Sequence, residues 1–194
     1  KQEYGFVFDK LLEIVGGSYK DEDGNLFFHQ KKKRGEKKVS LPLYISSSSA
    51  KSLFLIDMYI NHIAKKRGIL IIDEPELNLH PDNQIKFARL ITRLCNSGIK
   101  ILITTHSDYL IRELNNMIAI GNTGNDKQDL MKKYDVKDCD IISKDRVSAY
   151  VTSSNGEINK VNITSSGIDT YVFDDIISDE NYKTQDICMS VEVN

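Results

Sequence analysis

The residues of this chain best suited to chemistry stand at the ends of two apolar runs. Ile69-Leu70-Ile71-Ile72 stops abruptly at Asp73-Glu74-Pro75, and Ile99-Lys100-Ile101-Leu102-Ile103-Thr104-Thr105 stops at His106. If both runs are buried strands of one parallel sheet, their C-terminal ends open on the crevice where open α/β sheets bind ligands. One carboxylate of the Asp73-Glu74 couple can hold a metal ion while its neighbour activates water. The plainer alternative is that the two acids cap the turn after the strand and that His106 is satisfied by a backbone carbonyl.

The elements that must position these groups follow from periodicity. A helix with Ile85, Ala88, Ile91 and Cys95 on its inner face spans from about Asp82 to the Ser97-Gly98 stop. A short helix around Tyr109 to Leu114 follows the second strand, and the apolar run Met117 to Ile120 is expected as a third. The resulting β-α-β-α-β order implies an α/β fold with a parallel sheet and right-handed crossovers. Upstream, Phe6 to Val15 reads as a helix ended by Gly16-Gly17, and Ser18 to Gln30 as a hairpin turning at Asp23-Gly24-Asn25. Lys31 to Lys38 reads as a solvated loop, followed by the apolar run Val39 to Ile45. The serine run Ser46 to Ser49 precedes a helix that puts Leu53, Ile56, Ile60 and Ile63 on one face, so a serine is expected as its N-cap. Downstream, residues 122–145 read as a polar connector. Residues 146–194 read as a small α+β appendage, with a hairpin around Asn155-Gly156 and a short helix near Tyr171 to Ile177.

Bulk composition narrows the function classes. A net charge of −2, from 26 basic and 28 acidic residues, gives no overall field that would draw the chain to nucleic acid or to an anionic membrane. Apolar runs are broken by charge before the ~20 residues a membrane span needs. Cys95, Cys139 and Cys188 are far apart in a chain with no secretory leader pattern, which points to a cytoplasmic setting without structural disulfides.

Residues Leu70 to Tyr109 resemble the second half of an ABC-type ATPase domain, in the branch that contains RecF, SMC and OLD-like, abortive-infection ATPases. Ile69-Leu70-Ile71-Ile72-Asp73-Glu74-Pro75 resembles Walker B, Thr104-Thr105-His106-Ser107 the switch-histidine loop, and Glu76-Leu77-Asn78-Leu79-His80-Pro81 the dimer-contacting D-loop. The likeness spans roughly Leu41 to Ile120. It implies a P-loop NTPase-like C-terminal lobe over residues 1–121, with small hairpin elements at both ends of the chain. It further implies ATP and Mg²⁺ as cofactors and a homodimer closed around ATP. Asp73 would hold Mg²⁺, Glu74 would polarise the attacking water and His106 would contact the γ-phosphate. Ser48 and Ser49 occupy the place of the signature segment, although the usual glycine pair is absent and plain N-capping competes. His80 stands where transporter-type members carry aspartate.

The resemblance departs at one point: G-x-x-x-x-G-K-[ST] occurs nowhere, and Gly16-Gly17-Ser18-Tyr19-Lys20 has neither its spacing nor a strand before it. With a start at Lys1, the expectation is that an N-terminal portion carrying the phosphate loop is not represented, and that this stretch alone binds ATP poorly. The six basic residues of Lys31 to Lys38 could neutralise nucleic-acid phosphates, and relatives in this branch act on DNA or in phage defence. Asp174-Asp175 and Asp179-Glu180 lack the preceding strand that would mark a nuclease centre, so any nuclease effector is expected on a separate chain. The rival reading is a non-catalytic dimerisation or partner-docking module derived from such an ATPase.

Overall fold

The computed structural model describes residues 5–31, 39–153, 155–169 and 171–192. Most of the basic run Lys31 to Lys38 therefore lies outside the described residues, as do the side chains of Asp174 and Asp175. Helix α1 (Gly5–Val15) buries Val7, Leu11, Ile14 and Val15. These fall at helical spacing on one face. It ends at Gly16, whose φ of 66° supplies the left-handed cap. Strands β1 (Gly17–Glu22) and β2 (Asn25–Gln30) pair antiparallel with Glu22 opposite Asn25. The two residues between them, Asp23 and Gly24, both take positive φ, as a tight hairpin turn requires. β3 (Ser40–Pro42) adds to β2, so the run Val39 to Ile45 holds a short strand and a 3₁₀ turn.

Helix α2 (Ser48–Met58) passes directly into a π-helical turn, Tyr59–Ile63. That widening breaks the expected apolar stripe: Leu53, Ile56 and Ile60 are buried, whereas Ile63 is exposed. Tyr19 fastens the hairpin to this helix by donating its hydroxyl to the Ala50 carbonyl at 2.5 Å. Burial, and then the nearby Asp57 carboxylate, push the Tyr19 phenol upward, so it stays a donor.

Strands β4 (Ile69–Asp73) and β5 (Lys100–Thr104) form the expected parallel pair, joined by α3 (Pro81–Asn96). Leu70, Ile72, Ile101 and Ile103 turn towards the main core with α1, α2 and α3. Ile69, Ile71 and Leu102, on the other face, are 64%, 70% and 59% exposed. The expected strand at Met117 to Ile120 does not form. Those residues are the last turns of α4 (Asp108–Gly121), where Leu110, Leu114, Met117 and Ile118 fall at helical spacing and are buried.

Residues 122–145, read as a connector, hold helix α5 (Lys127–Lys133) and bury Met131, Val136 and Ile142 in a second apolar cluster with Met117, Ile118 and Ile120. A polar stripe on α3 fastens this segment. Arg89 pairs with Glu113 at 2.6 Å and donates to the Asp135 carbonyl. Arg93 grips Asp140 through Nε and Nη2 and donates to the Phe6 carbonyl at 2.6 Å. Asn96 donates to the carbonyls of Cys139 and Ile141. Burial alone would pull the Arg93 guanidinium down; the bonds and charge of Asp140 more than offset it, and the balance is upward.

Strands β6 (Ala149–Thr152) and β7 (Ile158–Val161) make the expected hairpin around Asn155-Gly156, and β8 (Ile163–Thr164) pairs with β9 (Gly167–Ile168). Asn115 on α4 holds β9 by bonding both the N–H and the carbonyl of Ile168. The final helix α6 runs Tyr171–Glu192, well past the short helix expected near Tyr171 to Ile177. Asp179 and Glu180 on it are exposed. Among the described residues, no helix is long and apolar enough to cross a membrane.

Candidate active site

The parallel register sets the site. Asp73, the last residue of β4, stands opposite Thr104, the last of β5, so the segments that follow both strands leave on the same rim. The Glu74 N–H closes the ladder by donating to the Thr104 carbonyl at 3.2 Å and to its hydroxyl at 3.1 Å. The Thr104 hydroxyl in turn donates to Asp73 Oδ1. Glu74 then turns the chain with a φ of 43°, a left-handed conformation that costs a non-glycine residue free energy and concentrates at functional sites. Its Oε1 lies 3.3 Å from His106 Nε2, with the histidine side chain 86% exposed. Asp73, Glu74 and His106 are thereby brought together.

Aspartate at that strand end suits magnesium. Mg²⁺ keeps several waters and takes one or two carboxylates beside substrate phosphates. One exposed carboxylate beside a second acid meets that demand. Among the described residues, no three His, Cys, Asp or Glu side chains gather into a fuller metal cage.

The loop from Glu74 to His80 is stitched locally and to its surroundings. Leu77 N–H donates to the Glu74 carbonyl at 3.1 Å and Leu79 N–H to the Glu76 carbonyl at 2.9 Å. Asn78 takes φ 65°, which asparagine tolerates. The first turn of α2 docks here: Ser49 donates its hydroxyl to the Asn78 carbonyl at 2.5 Å, and Asn78 Nδ2 donates to Ser52 at 3.3 Å. The N-cap of α2 is Ser47, whose oxygen accepts from the Ala50 N–H. Ser48 thus lies exposed in the first turn, and Ser49 is committed to the loop. His80 caps α3: its Nδ1 accepts from the Asp82 N–H at 3.4 Å, and the ring is 73% exposed. His29 and His62, given no role, lie in β2 and in the π-helical turn.

Residues that sequence reasoning passed over complete the rim. Glu76, only 7% exposed, accepts from the Thr105 hydroxyl at 2.6 Å and the His106 N–H at 2.8 Å through one oxygen. Gln84 accepts from the Ser107 hydroxyl at 2.5 Å and donates to the Leu79 carbonyl at 2.9 Å, tying α3 to both loops. The only signal for Glu76 was a second glutamate just beyond Pro75, at the start of the segment that resembles the D-loop.

Comparison with known proteins bears on this geometry. The family described as AAA ATPase domain matches residues 2–111, which contain both strands and the rim between them. A solved chain from the structural biochemistry of ATP-driven dimerisation and DNA-stimulated activation of SMC ATPases is similar over 86% of this chain and 84% of its own. Identity is 15% and the TM-score 0.48, too low to support a shared detailed fold. No curated protein sequence matches the chain.

Proposed function

Because the chain belongs to the AAA ATPase domain family, we propose that it carries the hydrolytic edge of an ABC-type ATPase of the RecF/SMC/OLD-like kind, which dimerises around ATP. The observation that supports this reading is the register of β4 with β5, which sets Glu74 against His106 at 3.3 Å. Glu74 acts as general base. Water attacks the γ-phosphorus, the bond to the β–γ bridging oxygen breaks, ADP leaves, and the Glu74 carboxylate takes the water proton. His106 meets the γ-phosphate with its exposed ring. Asp73 would hold Mg²⁺, which when bound neutralises phosphate charge.

The first turn of α2 offers its N–H groups and the exposed Ser48 hydroxyl to the phosphate held by the opposing subunit, while Ser49 holds that turn against the loop. The exposed ring of His80 is left for contact across that dimer. Any contact with nucleic acid would use Lys31 to Lys38 and weaken steeply with salt. A nuclease effector, in a defence setting, would be a separate chain, and the protein would work in the cytoplasm.

The test is Glu74→Gln in the full-length protein, which keeps shape and removes the base. Turnover is expected to fall by roughly 10² to 10⁴, while ATP-dependent dimer accumulates in sedimentation because the closed state no longer decays. Unchanged turnover in the variant would remove Glu74 as the base, and absence of turnover in the unsubstituted protein would favour the non-catalytic docking module.

A further inference from the structure

We propose that Glu76 is a positioning residue that fixes the segment after β5 so that His106 stands against Glu74; the inference rests on the roles given above to those two residues. The His106 ring is 86% exposed, so packing does little to hold it, and its place is set mainly by the backbone that carries it. That backbone is anchored from below by Glu76. One carboxylate oxygen receives the Thr105 hydroxyl at 2.6 Å and the His106 N–H at 2.8 Å. The Thr105 oxygen then accepts from the Ser107 N–H at 3.0 Å, so three successive residues are pinned through one acid. Ser107 continues the chain of bonds, capping α4 by accepting from the Leu110 N–H at 3.0 Å.

The form of the contact also points away from a purely structural role. Both donors to Glu76 are uncharged, and its second oxygen, Oε2, is buried with no hydrogen-bond partner among the described residues. A carboxylate enclosed with half its acceptor capacity unused costs stability. What it supplies is one strongly accepting oxygen at the point where the β4 and β5 loops meet. Glutamine can place an oxygen there too; alanine cannot.

The experiment is a mutant cycle in the full-length protein, read by ATP turnover and by amide hydrogen exchange at His106. Glu76→Ala is expected to lower kcat roughly ten- to hundredfold, the scale of a misplaced catalytic group, with KM for ATP little changed and the His106 amide exchanging faster. Glu76→Gln is expected to restore most of the rate and the protection. In a His106→Ala background, Glu76→Ala is expected to have no further effect, because it acts through that histidine. An additive loss in that background, or an unchanged kcat and His106 amide in Glu76→Ala, overturns the inference and leaves the roles of Glu74 and His106 standing. Full turnover in His106→Ala alone overturns the underlying reading and this inference with it. Should Glu76→Ala fail to fold, Glu76→Asp, which withdraws the oxygen by one methylene, carries the same cycle.

Discussion

Two buried carboxylates in this molecule are held in opposite ways. Asp140 is fully enclosed with both oxygens bonded: one takes Arg93 Nε, and the other takes Arg93 Nη2 and the Lys137 N–H. Glu76 is almost as enclosed, yet one of its oxygens takes two neutral donors and the other takes none. The difference is instructive. Where a charge fastens one segment to another, it meets an opposite charge and both its oxygens are bonded. Beside the rim where water and phosphate would react, the acid is left only partly satisfied, and its bonds hold a loop in place.

Removing each acid tests the contrast. Asp140→Ala leaves the Arg93 guanidinium buried without its partner and is expected to cost about 3–5 kcal/mol in urea unfolding. Replacing both partners, Arg93→Met with Asp140→Leu, is expected to return most of that loss, since an apolar pair carries no desolvation cost. Glu76→Ala removes no opposite charge and vacates a half-satisfied site. Its expected cost in the same measurement is smaller, about 1–3 kcal/mol. If the two single losses came out in the reverse order, the contrast would be wrong.

Asp57 extends the comparison to a half-buried acid with no cation bonded to it among the described residues. Burial pushes its pKa up, and Asn61 and His62 only partly counter this. Because the folded value stands above the ordinary 3.8, the folded state binds the proton more tightly than the unfolded chain does. The stability contribution is therefore best below pH 3.8 and is lost as pH rises through the raised value. Asp57→Asn is expected to raise Tm slightly at neutral pH and to leave it unchanged in acid, the smallest of these effects.

The same contrast marks what could be read before folding. β4 and β5 were legible because each apolar run stops at a polar residue, and the parallel order followed from the helix between them. Met117 to Ile120 misled, since four apolar residues in a row fit a buried strand as well as the last turns of a helix. Asn115, between the expected helix and this run, stays helical and reaches out to β9. The spacing of Arg89, Arg93 and Asn96 resembles a solvated helix face, and only the return of residues 134–141 turns it into a fastening. Glu76 was illegible for the same reason. A carboxylate in a proline-containing loop is polar by composition, and only closure of the β5 loop over it makes it interior.

The backward twist of the main chain at Glu74 sets evolution a standing temptation. Glycine or asparagine would sit in that left-handed bend with less strain, so a sturdier fold is one substitution away at this codon, and with the proposed role of Glu74 that step would remove the base. Under the proposed role, glutamate there, against the preference of its own backbone, is the trade between durability and work compressed into one position.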